Sequence, residues 1–284
     1  MTVLDEIFLH KRAEVAQQKA LRPLAEVRLA AEAAPAPLDF LGALRDRPGT
    51  DPALIAEVKH RSPSRGLLAR DFDPLELARI YRQNGAAAIS VLTDARYFGG
   101  CLEHLSRVVD DRQHGPGRIL PVLRKDFIFD PYQVYESRAT GADALLLIAS
   151  ALDAAQLRLL YALARSLGMA PLVEVHTREE LESALALEPV LIGINNRNLR
   201  DFSVDLEHTA RLRPAVPPGI PLVAESGIHS TGDVERLAAA GVDAILVGEA
   251  LVTAEDTASR VRAFSGVDRV EQQLRPGRCG VRPG

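Results

Sequence analysis

The sequence contains no tryptophan, two cysteines and four lysines, and these shortages exclude several kinds of structure and site. Cys101 and Cys279 cannot form a disulfide framework, and no CxxC or HxxxH spacing offers a metal site, so we predict neither a disulfide nor a metal. No apolar run approaches the roughly 18 residues of a membrane span, and the N-terminal segment is amphipathic rather than a signal peptide. These absences predict a cytoplasmic protein that does not contact a membrane.

The charge of the chain is nearly balanced, which bears on its partners. Charged residues make up 25% of the 284 residues, apolar residues make up 47%, and the net charge is −4. The chain has neither a basic stripe for nucleic acid nor a polyacidic tail. We therefore expect a small-molecule partner and no nucleic acid, in a chain long enough for one large α/β domain or two ordinary ones.

The scarcity of lysine singles out two residues. Arginine keeps its proton in proteins, whereas lysine can change its pKa when it is desolvated, so a chain rich in arginine can retain lysine where a proton must move. Lys59 and Lys125 close apolar runs that are typical of buried strands, and they are candidate catalytic residues on that ground. Chance, together with a genome that favours arginine codons, is the alternative. Lys11 and Lys19 lie on a predicted N-terminal helix and receive no role.

Short apolar runs alternate with segments of helical periodicity along most of the chain. The runs are almost continuously apolar, as expected for parallel strands covered by helices. The alternation predicts a (β/α)₈ barrel, with a doubly wound open sheet as the alternative, although no GxGxxG motif follows the first run. The runs are residues 53–58, 87–93, 118–126, 144–150, 171–176, 190–196, 221–226 and 244–249. The helical segments begin at the predicted N-cap residues Asp73, Asp130, Thr177 and Ser230.

The barrel is predicted to form a single domain over residues 1–265. Residues 1–50 precede the first strand and are predicted to be an N-terminal helical extension, with a Pro/Ala-rich break at 33–37 before a second helix. This extension could be a plug over the barrel or a lid near the substrate, because the two are alike in sequence. Residues 266–284 lack periodicity and are expected to form a disordered tail.

Polar residues follow the predicted strands. Because the active site of a parallel barrel lies at the carboxyl ends of its strands, these residues are expected to share one rim. The spacing of Glu57 and Lys59 places both on one face of a strand, as does that of Asn195 and Arg197. A structural ion-pair network is the alternative, but burying this many charges is costly, and we favour an active site. The strand-end residues are Glu57, Lys59, Arg124, Lys125, Asp126, Glu174, Asn195, Arg197, Glu225 and Ser226.

Glycine and hydroxyl residues near three strand ends indicate a phosphate site. Gly227 and Gly248 offer backbone N–H groups where this fold often binds phosphate, and Ser62 and Arg65 add a hydroxyl and a guanidinium. Each glycine alone is a weak signal, since turns also favour glycine, but their joint placement predicts a phosphorylated substrate. Phe98 is either ordinary packing or an aromatic wall for a planar substrate.

Long motifs fall in order at the predicted strand ends: LIAEVKHRSPSRG (54–66), SVLTDARYFGG (90–100), PVLRKDFIFDPYQVYESRATGADALLLI (121–148), LVEVHT (172–177), IGINNRNL (192–199) and AESGI (224–228). Together they resemble the indole-3-glycerol phosphate synthase family over most of the chain. The resemblance implies a barrel lyase of tryptophan biosynthesis that converts 1-(2-carboxyphenylamino)-1-deoxyribulose 5-phosphate to indole-3-glycerol phosphate, with loss of CO₂ and water. It implies no metal and no organic cofactor, and suggests other tryptophan-pathway enzymes as partners.

The resemblance also implies roles for the strand-end residues. Lys125 would be the general acid that protonates the ketone oxygen as the aryl carbon attacks. Lys59 would neutralise the anthranilate carboxylate or donate a proton in dehydration, and Glu174 would be the general base or acid of the later steps. Proton donation by Lys125 would favour a pKa lowered by burial and a neighbouring cation.

The remaining residues of the motifs are expected to orient and bind. Glu57 would orient a catalytic lysine and stabilise cationic character on the anilino nitrogen. Some family members carry serine after the last glycine where this chain has Glu249, whose carboxylate we expect to point away from phosphate. The residues expected to hold the substrate carboxylate, hydroxyls or phosphate are Asn195, Arg197, Ser226, Ser62, Gly227 and Gly248.

Two alternatives come from different classes. Another phosphosugar barrel, such as phosphoribosylanthranilate isomerase, would need a Cys/Asp acid–base pair at strand ends, whereas Cys101 lies in a loop. A non-catalytic barrel that acts as a binding partner would be expected to have lost the charges at the rim. His60 and His176 lie near strand ends, and the commoner case for such histidines is a solvated loop position.

Overall fold

Eight parallel strands close into a barrel in this computed structural model, which describes residues 3–46, 52–63, 65–112, 114, 117–198 and 203–266. The strands are β1 (Ala53–Val58), β4 (Ala88–Leu92), β5 (Val122–Lys125), β6 (Ala144–Ile148), β7 (Ala170–Val175), β8 (Ile192–Asn195), β9 (Leu222–Glu225) and β10 (Ala244–Val247), with β2 (Arg61–Ser62) and β3 (Gly66–Leu67) forming a short antiparallel hairpin. Each barrel strand pairs with its neighbour in sequence, and β1 also pairs with β10 to close the ring. The predicted (β/α)₈ barrel is confirmed.

Helices alternate with the barrel strands and begin where the sequence predicts. The helices are α1 (Val3–Leu21), α2 (Leu24–Ala33), α3 (Phe40–Arg45), α4 (Pro74–Gln83), α5 (Ala95–Phe98), α6 (Leu102–Asp111), α7 (Pro131–Ala139), α8 (Ala154–Ser166), α9 (Arg178–Leu185), α10 (Glu207–Leu212), α11 (Thr231–Ala239), α12 (Glu249–Val252) and α13 (Thr257–Ser265). All of the predicted N-cap side chains accept a hydrogen bond from a first-turn N–H. Such caps satisfy donors that the first turn leaves unpaired. No helix in the described part of the chain is long and apolar enough to cross a membrane.

The strands alternate between two cores, and this alternation positions the site. Every second side chain points into the barrel, where Leu123, Leu172 and Val223 pack together, while their neighbours face the surrounding helices. Two residues further along five of the eight strands, the inward position is taken by a polar group. The inward pairs are Ile55 then Glu57, Leu123 then Lys125, Leu172 then Glu174, Gly193 then Asn195, and Val223 then Glu225.

The N-terminal extension covers both ends of the barrel. It contains three helices where the sequence predicted two, because the chain breaks again at Pro23, between α1 and α2. Helix α3 buries Phe40 and Leu44 against the amino ends of the strands, and the N–H of Leu38 donates to Asp143 Oδ1 at 2.8 Å. Helix α1 lies at the opposite end, where Ile7 lines the cavity described below. Helix α3 therefore plugs the amino end of the barrel, whereas helix α1 lies beside the cavity at the carboxyl end.

Lys11 anchors helix α1 to the barrel, which corrects the expectation that it has no role. Its side chain is 1% exposed, and Nζ lies 2.9 Å from Asp94 Oδ2, 3.1 Å from Asp126 Oδ1 and 3.0 Å from Glu14 Oε2. Burial opposes the ionised form of Asp126, but Arg124 and Lys11 outweigh it and lower the pKa of Asp126 to about 2. A buried cation shared by two buried carboxylates thus joins α1 to the residue that follows Lys125.

The ends of the predicted domain reach beyond the described part of the chain. The last described helix ends at Ser265 and is capped by Gly266 in a left-handed conformation. The predicted disordered tail, apart from Gly266, lies outside the described residues, and so does Cys279.

Candidate active site

A cavity at the carboxyl ends of the strands brings together the catalytic and substrate-binding residues that the sequence predicted. Five apolar side chains from α1, the barrel core and the loop after β5 form part of its wall, and they are Leu4, Ile7, Phe127, Leu146 and Ile148. The predicted residues that line it are Glu57, Lys59, Ser62, Phe98, Lys125, Glu174, Asn195, Arg197, Ser226, Gly227 and Gly248. They come from the ends of six strands and from α5, so only the closed barrel makes them neighbours. Arg65 and Arg124 do not line the cavity, and Arg124 instead faces α7, where its Nη1 lies 2.9 Å from Glu136 Oε2.

Lys125 lies at the centre of a carboxylate cluster. Its Nζ is 3.2 Å from Glu225 Oε2 and 3.5 Å from Glu174 Oε2, and both carboxylates are almost completely buried. Burial works to lower the pKa of Lys125, but Glu225, Glu174 and Glu57 outweigh it, so the pKa is raised above its usual value. The expectation of a lowered pKa is therefore wrong for the protein without substrate. Lys125 therefore carries a proton at neutral pH.

The two carboxylates beside Lys125 hold different charges. Burial raises the pKa of Glu225 to about 8, with Lys125 opposing the shift and Glu174 adding to it. Burial also acts to raise the pKa of Glu174, but Lys125 and His176 outweigh it and the net shift is downward. At neutral pH Glu174 is therefore ionised while Glu225 is largely protonated. Neighbouring groups whose pKa values are pushed apart in this way are typical of acid–base sites.

Lys59 lies across the cavity from this cluster. Its Nζ is 3.4 Å from Glu57 Oε2 and 5.5 Å from the centre of the Phe98 ring, a cation–π distance. Its side chain is 17% exposed, so it is open to a ligand as well as to Glu57. The arrangement places a cation above an aromatic face, which suits a substrate that carries a carboxylate on an aromatic ring.

Asn195 connects the acid–base cluster to the neighbouring loop. Its Nδ2 donates to Glu174 Oε1 at 3.2 Å, and its Oδ1 accepts from the backbone N–H of Arg197 at 3.0 Å. Arg197 also forms an antiparallel bridge with Val204. These contacts fix the orientation of the Glu174 carboxylate and hold Arg197 at the cavity wall.

The loop after β9 has a strained backbone at the cavity. Ser226 and Gly227 have φ angles of 67° and 79°. This left-handed conformation costs a non-glycine residue about 1–2 kcal/mol. Asn196 Nδ2 donates to the carbonyl of Ser226 at 3.3 Å and stabilises the turn. Strain of this kind concentrates at functional sites, and here it turns the Ser226–Gly227 peptide toward the cavity.

The need for glycine at position 248 comes from a neighbouring side chain and not from the backbone angle of Gly248. Its φ is −122°, which any residue can adopt, but a Cβ at this position would collide with the carboxylate of Glu57. Glu249 lines the cavity instead of turning away from it, and its Oε1 lies 2.9 Å from Arg65 Nε. That guanidinium offsets the negative charge that would otherwise repel a phosphate.

The structure shows several residues whose importance the sequence did not reveal. Glu225 appeared among the strand-end residues but received no role, although its inward spacing from Val223 signals its position. His176 is not a solvated loop histidine, since its side chain is 13% exposed and lies beside Glu174. His60 stacks on Phe72 at 4.6 Å between ring centres. Across the described ranges, no group of three His, Cys, Asp or Glu residues could hold a metal ion.

Comparison with known proteins gives consistent matches over nearly the whole chain. The family model for indole-3-glycerol phosphate synthase matches residues 4–264. A protein of that name from Roseiflexus sp. (strain RS-1) is 53% identical over 268 residues, which are 93% of this chain and 98% of the relative. Another of that name, from Albidiferax ferrireducens, is 51% identical over 255 residues, which are 89% of this chain and 94% of the relative.

Solved structures of low sequence identity share the fold. A KGPDC from Streptococcus mutans matches with a TM-score of 0.56 and 14% identity, over 78% of this chain and 98% of that chain. A thiamine phosphate pyrophosphorylase from Pyrococcus furiosus matches with a TM-score of 0.55 and 19% identity, over 79% of this chain and 98% of that chain. Similarity at this level shows the barrel and not the activity.

Proposed function

Because the chain belongs to the indole-3-glycerol phosphate synthase family, the carboxy-lyases that close the indole ring in tryptophan biosynthesis, we propose that Lys125 and Glu174 are its acid and base. The observation that carries this proposal is their placement in one buried cluster with opposite charges. Lys125 keeps its proton and Glu174 remains ionised, as their shifted pKa values require. The substrate is a phosphorylated small molecule.

The first half of the reaction needs a proton donor. The aryl carbon that bears the carboxylate attacks the ketone carbon, a carbon–carbon bond forms, and the ketone oxygen takes a proton from Lys125. The nitrogen becomes cationic as the ring loses aromaticity, and the carboxylates of Glu57 and Glu174 stabilise that charge. CO₂ then leaves from the same aryl carbon, and its bonding electrons restore the aromatic ring.

The second half of the reaction needs a base as well. The new hydroxyl group leaves as water after it takes up another proton, and the adjacent carbon loses a proton to Glu174 to complete the indole. Lys59 would hold the carboxylate until it departs, and Lys125, protonated again after its first donation, would supply the proton for the departing water. Two protons are delivered to oxygen and one is removed from carbon, so each turnover consumes one proton.

Replacing Glu174 with glutamine is expected to separate the two halves of the reaction. The amide retains the shape of the side chain and can still accept from Asn195, but it cannot remove a proton from carbon. We expect the variant to release CO₂ while forming indole-3-glycerol phosphate on the order of 100-fold more slowly than the unmodified protein. Trapped CO₂ and indole fluorescence are measured in the same rapid-quench samples.

The matched control for this measurement is Glu179→Gln on the exposed surface of α9, which should release both products at the normal rate. If Glu174→Gln slows CO₂ release and indole formation by the same factor, Glu174 acts before decarboxylation and the proposed division of roles is wrong. The same pair of measurements on Lys59→Gln locates the step that needs Lys59.

We further propose that the remaining cavity residues bind the substrate. Arg197, Asn195 and Ser226 would hold its carboxylate and hydroxyl groups, and the backbone N–H groups of the Ser226–Gly227 turn would face the phosphate together with Ser62. What supports this is their shared cavity and the ion pair that keeps Glu249 from repelling an anion.

We also propose that the protein works in the cytoplasm and that other enzymes of tryptophan biosynthesis are its partners. What supports both statements is the place of the family in that pathway. Cell fractionation followed by cross-linking and identification of the captured enzymes would test them.

A further inference from the structure

A second cavity adjoins the first, and Leu4 and Asn195 line both of them. Its volume is about 580 Å³, and it extends between the ends of β7 and β8 and the starts of α9 and α10. Most of the residues that line it are polar, which suits a cavity that holds water. They are Leu4, Asp5, Ser150, His176, Thr177, Glu180, Asn195, Asn196, Asn198, Ser203, Asp205 and His208.

His176 stands between this cavity and the acid–base cluster. Its Nε2 lies 3.6 Å from Glu174 Oε1, and its Nδ1 lies 3.7 Å from Glu180 Oε2. Exposure rises along this line, since the side chains of Glu174, His176 and Glu180 are 2%, 13% and 21% exposed. Three titratable groups therefore connect the buried cluster to solvent.

The local contacts hold His176 in this position. The backbone N–H of His176 donates to Glu180 Oε2 at 2.6 Å, and its carbonyl lies 2.7 Å from His208 Nε2. These contacts occupy the main chain, while Nδ1 of the ring faces Glu180. Within the described part of the chain, Nε2 is buried and makes no hydrogen bond, and it faces Glu174 Oε1.

The charges around the ring favour its protonated form. Burial opposes that form, but Glu180 and Glu174 outweigh it and raise the pKa of His176 above its usual value. The groups that face it are Glu174 on its own strand, Glu225 from β9, Glu180 from α9, Asp205 from the segment leading into α10, His208 from α10, and Asp5 from α1. All except His208 are acidic, so a proton entering the cavity is drawn toward the ring.

The reaction creates a need for such a path. Each turnover consumes one proton, while Lys125 and Glu174 lie in a cluster that the bound substrate separates from bulk water. Without a second route, the proton would have to pass through the mouth of the barrel that the substrate fills. A histidine with a pKa near the working pH is the side chain best suited to carry it.

We propose that His176 and Glu180 carry protons between Glu174 and the second cavity, which makes His176 a positioning and relay residue that does not touch the substrate. After Lys125 has protonated the ketone oxygen, the imidazolium gives the proton on Nε2 to the Glu174 carboxylate, which passes it to the neutral Lys125 and is ionised again. After the second donation Glu174 takes the proton from carbon and passes it to Lys125, so each turnover draws one proton through His176. Water in the cavity, guided by Glu180, returns a proton to Nδ1, and the ring reorients. No substrate bond forms or breaks in these transfers. The inference rests on the proposed role of Glu174.

The test uses the full chain with His176 replaced by alanine or by glutamine. We expect kcat to fall about tenfold, with KM unchanged because His176 does not contact the substrate. The unmodified protein should lose turnover as the pH rises through the raised pKa of His176, and both variants should lack that decline. His114→Ala and His114→Gln are the matched controls, since His114 is exposed, lies outside both cavities, and its ring contacts the backbone carbonyl of Asp110.

Rescue by added imidazole distinguishes proton transfer by His176 from a merely structural role. Imidazole should restore turnover to His176→Ala in proportion to the imidazolium concentration, and should leave both His114 variants unchanged. Normal turnover of both His176 variants would overturn the relay, and so would a loss that is equal at every pH and is not restored by imidazole. In either case the expected result for Glu174→Gln, with CO₂ released ahead of indole, would leave the proposed function standing.

Discussion

Arginine in place of Lys125 is expected to lower kcat about a thousandfold while KM changes by no more than a few fold. Arginine keeps the positive charge, so Glu174 and Glu225 still have a cationic partner and the substrate still meets the same charge. Its guanidinium does not release its proton at any working pH, so the ketone oxygen has no donor. Steady-state indole fluorescence gives kcat and KM. CO₂ release should be lost to the same extent, because the proton is needed before decarboxylation.

The control for this substitution is Lys19→Arg, which makes the same change at a lysine on the surface. Lys19 is 41% exposed and pairs with Asp130 on the surface. Its replacement should leave kcat unchanged. A Lys125→Arg variant with turnover within tenfold of normal would show that the positive charge suffices, and that the acid is another group such as Glu225.

Methionine in place of Lys11 is expected to lower the free energy of unfolding by about 3–5 kcal/mol. Methionine has a similar length and fills the same space, but it leaves Asp94 without its cation and removes one of the two cations of Asp126. Breaking a buried ion cluster in this way leaves uncompensated charge in the interior. Urea denaturation followed by circular dichroism measures the change.

The outcome also depends on pH, which separates the charge effect from packing. The depressed pKa of Asp126 means that its ionised form contributes stability above about pH 4, and this contribution is lost as the pH falls toward 2. The Lys11→Met variant should lose less on acidification than the unmodified protein. Lys19→Met, a surface control, should cost less than about 1 kcal/mol. A Lys11→Met variant as stable as that control would show that Lys11 does not anchor α1.

The barrel and the rim of its active site could be predicted because both depend on short-range patterns. Near-continuous apolar runs of six to nine residues, alternating with segments of helical periodicity, specify parallel strands covered by helices. The spacing of two residues then determines which side chains share the inward face with Ile55 or Leu172. That rule alone places Glu57 and Glu174 in one cavity, without any knowledge of which strands are neighbours.

Other features depend on contacts between distant segments and could not be predicted in this way. Lys11 is more than eighty residues from Asp94 in sequence, and no local pattern distinguishes it from the exposed Lys19. The pKa of Lys125 was expected to fall because burial dominates for an isolated lysine, but three carboxylates from three other strands reverse the shift. Gly248 was assigned to phosphate from its place in a turn, whereas the Glu57 carboxylate is what excludes a side chain there.

The central claim is that this one cavity closes the indole ring using only the side chains that line it. The most direct test supplies the purified protein with 1-(2-carboxyphenylamino)-1-deoxyribulose 5-phosphate as its sole substrate, with a metal chelator and no added cofactor. Indole fluorescence should then appear together with one CO₂ for each indole-3-glycerol phosphate formed. Fluorescence no greater than in a sample without protein would contradict the account.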